Sequence, residues 1–413
     1  MSFTQVPFTD SQAGIIWHTD PVIDVDDSGH VHMLIQYSAT FINHYFSLDG
    51  QTWLDTVQIN SYNGVDKPWM VVNKNEIYVT WQQTSGQQGI WFCKSTDYGR
   101  TFQDSLIWTR RGITAICMDE AENLHLCLVD WYGSVYYRKS TDKGVTWSDP
   151  LLLSDYYYQS GYGDRAPINS ITATGNAVFL TWVDTRNGDW DIMGMRSTDG
   201  GSTWGSRFVV NDSTVGGQCK GWTTFDPYGG LHLIYYHCPY WPTSPTTPFS
   251  LRYQYSPDSG ATFKPSIRVS DTCAPSLADF MGEYHIIRSD SQYVYAIWTS
   301  GRNGDDNDLY FSKALISEVG CAEQIAGKPA TGPTVSIPTI WRGNVVLEIS
   351  HHSEPIKINL YDASGRIVKK VYSGRIAGSM KIKIRSKDLP SGVLFIRISS
   401  DNTSQTRKVV NLR

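Results

Sequence analysis

A short segment repeats five times along the chain, and this repetition constrains the fold more than any other feature of the sequence. Each copy joins Ser, Asp, Gly and Thr to a terminal Trp or Phe, and the copies are Ser47–Trp53, Ser95–Phe102, Ser140–Trp147, Ser197–Trp204 and Ser256–Phe263. Successive copies begin 48, 45, 57 and 59 residues apart, a spacing typical of one four-stranded sheet with its turns. The Asp carboxylate can accept backbone N–H groups across a tight turn, and Gly supplies a positive φ. We therefore expect five similar sheets, each with one such turn.

Composition agrees with an all-β chain. Of 413 residues, 13% are aromatic, only 18% are charged, and there are 35 Gly and 18 Pro. This balance is typical of many strands and turns rather than of helices. No apolar run approaches the roughly 18 residues that a membrane-spanning helix needs. The sequence therefore predicts a globular β protein with no transmembrane segment.

The charge is unevenly distributed, which indicates two domains. Residues 331–413 carry 14 basic and 5 acidic side chains, a net charge of +9, whereas residues 1–330 carry 21 and 35, a net charge of −14. All seven Cys and 14 of the 15 Trp lie before residue 331. The Gly/Pro-rich stretch Ala326–Pro338 marks the boundary. An acidic, Trp-rich first domain does not have the composition of a nucleic-acid-binding protein.

The five repeats resemble the Asp-box (BNR) repeats of the sialidase-like β-propellers, and residues 1–320 resemble that superfamily throughout. The resemblance implies six blades, with the repeat turns on the face opposite the active site. The repeat aspartates are then structural: Asp49, Asp97, Asp142, Asp199 and Asp258. A sixth unit, Asp279–Leu315, has three strands and no repeat. We expect the N-terminal strand to complete this unit, with Thr4–Phe8 pairing with Asp308–Ala314.

The C-terminal segment resembles the sorting domains of the bacterial type IX secretion pathway. The motifs are Ile358–Val371 (INLYDASGRIVKKV), Leu389–Ile398 (LPSGVLFIRI) and the terminal TRKVVNLR. Their alternating apolar positions predict short strands of a β-sandwich. An unrelated carbohydrate-binding or fibronectin-like module is the alternative interpretation. The predicted fold class is thus all-β, a six-bladed β-propeller (residues 1–320), a linker (321–337) and a small C-terminal β-sandwich (338–413).

The sorting resemblance implies a protein that is secreted or anchored at the outer surface, with the type IX secretion machinery as a partner. The first ten residues, MSFTQVPFTD, contain neither the basic nor the apolar region of a signal peptide. We therefore expect that a signal peptide has been removed.

Binding residues are expected in the loops opposite the repeat turns, which join strand 2 to strand 3 and strand 4 to the next strand 1. These loops contain Asp66, Arg111, Asp164-Arg165, Lys220-Trp222, Asp279, Asp130-Trp131-Tyr132, Asp184–Arg186, Asp189-Trp190, His237–Ser250 and Arg302–Asp308. Guanidinium groups can bind a carboxylate, and Trp faces can stack on sugar rings. The candidate substrate-binding residues are Arg165, Arg186, Arg302, Trp131, Trp190 and Trp222. Structural ion pairs are the alternative role for Arg186 and Arg302.

The sialidase resemblance also implies a catalytic set. The candidates are Glu283 with Tyr284 as a nucleophile pair, and Asp164 or Asp279 as the acid. The family's first substrate-binding arginine precedes the first blade, but the corresponding stretch Ile15–Val22 contains no arginine. No CxxC motif or His/Cys cluster predicts zinc, and no cofactor is expected.

Three functions remain open. We favour a secreted or cell-surface propeller that binds glycans, glycoconjugates or proteins without a complete sialidase catalytic set. The alternative is an exo-acting, sialidase-like glycoside hydrolase with a carboxylate or Tyr–Glu site in the central funnel. A polysaccharide lyase is a third possibility, with His237 or Tyr240 as the base.

Histidine and cysteine positions complete the predictions. His32, His125 and His232 follow the first turn of their repeats at equivalent places, which indicates packing or turn contacts rather than three catalytic bases. Cysteine pairs at Cys117 and Cys127 and at Cys219 and Cys238 are compatible either with disulfides or with buried thiols.

Overall fold

The computed structural model divides the chain into two compact units, residues 1–323 and residues 324–413. It describes residues 18–155, 168–213, 215–239, 248–271, 273–274, 285–302, 308–319, 335–336, 340–341, 343–349, 352–362, 366–376, 380–399 and 404–411. Apart from a one-turn helix α1 (Ile316–Val319) and a 3-10 turn (Ser386–Asp388), the regular elements of these residues are strands.

The described part of the first unit contains six antiparallel sheets, each built from consecutive strands. Five have four strands and the sixth has three. The strands are β1 (His18–Val25), β2 (Val31–Tyr37), β3 (Phe41–Ser47) and β4 (Trp53–Gln58); β5 (Val65–Asn73), β6 (Glu76–Gln83), β7 (Gly89–Ser95) and β8 (Gln103–Trp108); β9 (Gly112–Met118), β10 (Leu124–Asp130), β11 (Val135–Ser140) and β12 (Leu151–Ser154); β13 (Ser170–Thr174), β14 (Ala177–Asp184), β15 (Asp191–Ser197) and β16 (Phe208–Val209); β17 (Gly217–Phe225), β18 (Leu231–Cys238), β19 (Ser250–Ser256) and β20 (Ile267–Arg268); β21 (Ile286–Ser289), β22 (Tyr293–Ser300) and β23 (Asp308–Leu315).

The first strands of consecutive sheets pack against each other: β1 contacts β5, β5 contacts β9, and the pattern continues through β13 and β17 to β21. The largest cluster of buried apolar residues runs from the first sheet to the sixth. The second to fifth sheets each have a sheet on either side in sequence order, so both of their faces are covered, and strands such as β6 are buried along almost their whole length.

The five repeats form turns between the third and fourth strands, and their hydrogen bonds are local. In the second sheet Asp97 Oδ1 accepts the Ser95 hydroxyl (2.7 Å) and the Thr101 N–H (3.0 Å), and Asp97 Oδ2 accepts the Thr101 hydroxyl (2.7 Å). The Gly99 N–H donates to Ser95 Oγ (2.9 Å). The same four bonds recur in the turns of Asp142, Asp199 and Asp258. The repeat aspartates are thus turn-forming residues.

The repeat turns also lock each sheet to the one before it. Gly99 (φ 80°) lies against the His44 ring of the first sheet, and a β-carbon at this position would collide with that ring. The aromatic residue that ends this repeat, Phe102, packs edge-on against His44 with ring centroids 5.4 Å apart. In the third and fourth sheets, Trp204 packs in the same way against Tyr137 at 4.9 Å. Gly is therefore needed both for its φ and for the close approach.

Three fully buried histidines connect the first turn of a sheet to its third strand, as the sequence predicted. In the third sheet His125 lies 3.1 Å from Asp119 Oδ2 and 2.7 Å from the Tyr137 hydroxyl. In the fifth sheet His232 makes the same contacts with Asp226 (3.1 Å) and Tyr253 (2.7 Å). These histidines connect the first turn and the third strand within their sheets, which confirms that they have packing and turn contacts.

The first sheet departs from this arrangement. His32 Nδ1 lies 3.1 Å from Nε2 of a second buried histidine, His44, where the third and fifth sheets have Tyr137 and Tyr253. The Asp26 carboxylate is 3.8 Å from His32 Nε2 because it binds His30 Nδ1 at 2.8 Å instead. Burial lowers the pKa of His32, and it lowers the pKa of His44 to about 3.

The sixth sheet ends at an exposed strand. Within the described residues β23 is the edge of its sheet, and its Leu309 and Phe311 side chains are 73% and 43% exposed. The predicted partner, Thr4–Phe8, lies outside the described residues. The closure of a sixth blade by the N-terminal strand, and with it the number of blades, stays a prediction.

The cysteine pairs lie on neighbouring strands but not directly opposite each other. Cys117 is paired in register with His125, and Cys127 with Ala115. Both are free thiols, and burial raises the pKa of Cys127 to about 12. In the fifth sheet Cys219 is opposite Tyr236 and Cys238 is opposite Gly217. A disulfide between Cys117 and Cys127 is therefore not formed.

The second unit is a small sandwich. One sheet consists of β24 (Val335–Ser336), β26 (Asn344–Ile349) and β29 (Met380–Arg385), and the other of β25 (Ile340–Trp341), β31 (Ser404–Asn411), β30 (Gly392–Ser399), β27 (His352–Tyr361) and β28 (Ile367–Ile376). Both sheets contribute to one apolar cluster that includes Trp341 and Leu347. The buried Asn411 amide donates to the carbonyls of Ser386 (2.9 Å) and Pro390 (2.9 Å), which ties the last strand to the turn before β30.

Candidate functional site

The face opposite the repeat turns carries the candidate site. Of the predicted residues, Asp164, Arg165, Asp279, Glu283 and Tyr284 lie outside the described residues. Their roles stay predictions. The structure describes Trp131, Trp190, Trp222, Arg186 and Arg302, and it places them in very different surroundings.

Trp131 is a half-exposed aromatic side chain in a fixed position. It follows β10 in a tight turn held by the Asp130 carboxylate, which accepts the N–H groups of Tyr132 and Ser134 at 2.9 Å each. Its indole Nε1–H donates to Gln82 Oε1 of the second sheet (2.7 Å), while 45% of the residue remains exposed. An indole that is held at its polar edge and remains partly exposed can contact a ligand without losing much further side-chain freedom.

A cleft of about 540 Å³ lies beside Trp131. It is lined by Trp108, Thr109, Arg110, Arg111, Asp130, Trp131 and Tyr132. The Arg110 guanidinium is ion-paired with the buried Asp130 carboxylate and lies over the Tyr136 ring, 4.6 Å from its centroid. Trp108 meets the same ring edge-on at 5.2 Å. The cleft thus has aromatic and guanidinium groups in contact with each other.

Three of the first strands of the sheets carry a charged residue at a β-bulge near their start. Strands β1, β5 and β17 each contain a β-bulge near their start. At each bulge a residue other than glycine adopts a positive φ: Asp20 (51°), Lys67 (56°) and Lys220 (58°). Bulges redirect side chains, and such backbone conformations cost free energy that the surrounding structure must supply.

Two of these residues, Asp20 and Lys67, belong to a polar network that reaches Trp131. Lys67 Nζ lies 3.6 Å from Asp20 Oδ2 and 3.2 Å from Asp66 Oδ1. Asp66 Oδ2 in turn lies 3.5 Å from Gln82 Nε2, the side chain that orients Trp131. The polar contacts thus run without a break from the inner strands of the first two sheets to the third.

Trp222 is buried below this network rather than open to a ligand. It is 5% exposed, and its ring centroid lies 4.6 Å from that of Trp69 on β5. His285 meets Trp222 edge-on at 6.0 Å. Burial, together with the charge of the fully buried Lys220, holds the pKa of His285 well below its usual range. His285 is therefore neutral at neutral pH.

The remaining predicted residues are engaged in protein contacts. The Arg186 guanidinium donates to Asp184 Oδ2 from both Nε (2.9 Å) and Nη2 (2.6 Å), and to the Ser154 hydroxyl (2.7 Å). Arg302 is paired with Asp271 and lies over the Tyr310 ring, 3.8 Å from its centroid.

Two further predicted residues are buried. Trp190 is 3% exposed and belongs to the main apolar cluster. His237, the suggested lyase base, is 8% exposed and lies 3.0 Å from Gln218 Nε2, and burial lowers its pKa. No described contact joins Arg186, Arg302 or Trp190 to the network around Trp131.

Sequence reasoning missed Asp20, Lys67, Gln82 and Arg110. Asp20 and Lys67 are each followed by proline at the start of an inner strand, and proline within a strand is a signal for a bulge. Gln82 has no comparable signal, because its partner Trp131 is 49 residues away.

Among the described residues, no group of three or more His, Cys, Asp or Glu side chains could hold a metal ion. None of the helices in the described part is long and apolar enough to cross a membrane.

Several solved structures are similar to this chain at low sequence identity. A protein of unknown function from Dyadobacter fermentans is 16% identical, with a TM-score of 0.50 over 72% of this chain and 94% of that chain. A polysaccharide lyase of family PL25, an ulvan lyase bound to a GlcA–Rha3S saccharide, is 10% identical, with a TM-score of 0.50 over 94% of this chain and 91% of that chain. The Hadza microbial sialidase Hz136 is 16% identical, with a TM-score of 0.45 over 73% and 66% of the two chains.

A search of curated proteins finds no significant match. Residues 342–411 match the secretion system C-terminal sorting domain family, which confirms the resemblance of the C-terminal segment. The all-β propeller fold followed by a small β domain is confirmed as well. The chain therefore has a β-propeller fold followed by a small β domain that matches the secretion system C-terminal sorting domain family, and the protein is secreted or anchored at the outer surface.

Proposed function

We propose that this exported propeller binds glycans on the face opposite its repeat turns, with Trp131 as the main stacking platform. The observation that carries the proposal is the geometry of Trp131: its indole N–H is held by Gln82 at 2.7 Å while 45% of the residue is exposed. An indole that served only packing would be buried like Trp190 or Trp222. Sugar rings present C–H faces that stack on such a ring and hydroxyls that neighbouring polar groups can bind.

The surroundings of Trp131 support a saccharide better than a flat protein partner. The adjoining cleft of about 540 Å³ is within the size range of small-ligand sites. Its polar groups, Arg110, Arg111 and Asp130, are the types that bind hydroxyl and acid groups. The fold is one that glycan-acting proteins use, but a fold alone does not decide function.

The test is a binding screen of the full chain on a broad glycan panel, followed by calorimetry with Trp131→Ala. We expect this variant to bind the selected glycan at least about tenfold more weakly, because each 1.4 kcal/mol of lost contact is a factor of ten. Tyr228→Ala is the matched control, since Tyr228 is 73% exposed and lies in the first turn of the fifth sheet, between β17 and β18, on the face of the repeat turns. Equal losses in the two variants, or no binding of any glycan, would refute the proposal.

A second function, glycoside hydrolysis, is favoured by one observation. Asp20 and Asp66 both lie against the Lys67 ammonium, at 3.6 and 3.2 Å, in the network at the inner strands. Their two oxygens are therefore within about 7 Å of each other, a separation compatible with a glycosidase carboxylate pair. Hydrolysis of chromogenic glycosides that is lost in Asp66→Asn would favour catalysis, and binding without turnover would favour the first proposal.

A further inference from the structure

The charges of the Trp131 cleft do not balance. Arg110 is neutralised by Asp130, whose side chain is only 1% exposed. The other guanidinium of the cleft, that of Arg111, makes no hydrogen bond or ion pair with any described residue. Among the residues that the structure describes, none supplies a counter-charge to this second positive charge of the cleft.

Arg111 is only partly exposed, and its main chain is closely packed. It is partly buried, and its Nε lies out of contact with solvent and without a hydrogen-bond partner. The next residue, Gly112, is paired in register with Asp130 and is so close to the β10 backbone that a β-carbon would lie 2.7 Å from the Asp130 Cα. The main chain of Arg111 is thus held against the turn that carries Trp131.

An unpaired, partly desolvated guanidinium costs free energy in the unliganded protein. An anionic group entering the cleft would recover that cost, and a planar carboxylate or a sulfate ester can take two N–H groups of one guanidinium. Residues 1–330 carry a net charge of −14, so a general attraction for polyanions is not expected. Selectivity for an anion must therefore come from this local charge.

Aromatic surface lies in the same cleft. Trp131 and Tyr132 are 45% and 69% exposed, and both line it together with Arg111. We propose that the cleft recognises an anionic saccharide, in which the sugar ring stacks on Trp131 and its carboxylate or sulfate group binds Arg111. This inference rests on the proposed glycan-binding function and specifies the chemical class of the glycan.

The experiment uses the full chain and three galactose-based probes: neutral galactan oligosaccharides, oligogalacturonate and carrageenan oligosaccharides. We expect one or both anionic probes to bind at least about tenfold more tightly than the neutral probe, with affinity falling as salt is raised. Comparing the affinity for oligogalacturonate with that for carrageenan oligosaccharides then shows whether the cleft prefers a carboxylate or a sulfate group. Arg111→Gln should weaken anionic binding by about ten- to a hundredfold and weaken neutral binding much less, because a neutral sugar loses no charge–charge contact.

Arg111→Lys keeps the charge but loses the two-pronged geometry, so an intermediate loss is expected. Arg100→Gln is the control, because Arg100 is an exposed arginine in a repeat turn on the other face. The melting temperature separates a binding role from a structural one, since removing an unpartnered charge should leave it unchanged or higher.

Neutral and anionic probes that bind equally, or anionic binding that Arg111→Gln does not change, would overturn this inference while the Trp131 proposal stands. A lower melting temperature in both Arg111 variants would make the residue structural and overturn it as well. If none of the probes binds, the inference fails, and the glycan panel with Trp131→Ala decides the proposed function separately.

Discussion

The histidine pair of the first sheet should make the propeller sensitive to mild acid, and a single substitution should remove that sensitivity. His44 is 1% exposed and has a pKa of about 3 because burial disfavours its charged form, with a further contribution from the neighbouring His32. In the unfolded chain the same side chain titrates near 6.5. Between these values the unfolded state binds more protons than the folded state, so stability falls as the pH is lowered.

The magnitude follows from the difference between the two pKa values. At pH 7.5 both states are neutral at His44 and the residue contributes no pH dependence. At pH 5.0 His44 is protonated in the unfolded chain but not in the folded protein. Because pH 5.0 lies about 1.5 units below the pKa of the unfolded side chain, the free energy of unfolding falls by about 2 kcal/mol. For a domain of this size that free energy corresponds to a fall in melting temperature of about 3 °C. Other buried histidines, such as His285, also contribute to the loss of stability in acid, but they do so equally in the wild type and in the variant.

The substitution is suggested by the other sheets. Tyr137 occupies the position equivalent to His44 in the third sheet, where its hydroxyl lies 2.7 Å from His125. His44→Tyr should therefore keep a partner for His32 and lose the acid-dependent term. Tyr137→His is the reciprocal variant, and it should add a similar term to the third sheet.

Thermal unfolding followed by tryptophan fluorescence at pH 7.5 and 5.0 measures these differences. The change between the two pH values should be about 3 °C smaller in His44→Tyr than in wild type, and larger than wild type in Tyr137→His. Identical pH dependence in all three proteins would refute the assignment of a neutral, buried His44.

Three further predictions concern the architecture. Asp97→Ala removes the acceptor of four hydrogen bonds in its turn and should cost about 1–3 kcal/mol of stability with unchanged glycan affinity, measured by melting and calorimetry. Deleting residues 331–413 should leave a folded propeller with unchanged ligand binding but abolish export in the native host, as followed by fractionation and near-UV circular dichroism. Deleting Thr4–Phe8 should lower the melting temperature, because the apolar edge strand Asp308–Leu315 would lose its expected partner; an unchanged value would contradict closure by the N-terminal strand.

Much of the fold could be predicted because its signals are local. The repeat turns are held by hydrogen bonds between residues two to four positions apart, such as those of Ser95, Asp97 and Thr101, so a stretch of eight residues contains the whole interaction. The equivalent histidines and the alternating strands of the C-terminal unit are likewise visible as spacing. Turn chemistry and strand periodicity are properties of neighbouring residues, and the sequence shows them directly.

The candidate site depended on contacts that no local pattern encodes. Trp131, Trp190 and Trp222 look alike as tryptophans in loops or at strand starts, yet only Trp131 is exposed. Trp222 is buried because Trp69 of another sheet packs against it, and Trp131 is oriented by Gln82 from the preceding sheet.

The pairing of charges also depends on contacts between different sheets. Arg110 and Arg111 are adjacent in sequence, but the fold pairs Arg110 with Asp130, while no described residue supplies a counter-charge to Arg111. The sequence alone therefore determined the repeated sheets, their turns and the sorting domain, because those depend on near neighbours. Only the tertiary structure decided which side chains are exposed and which charges are paired, because solvent exclusion and ion pairing depend on residues brought together from different sheets.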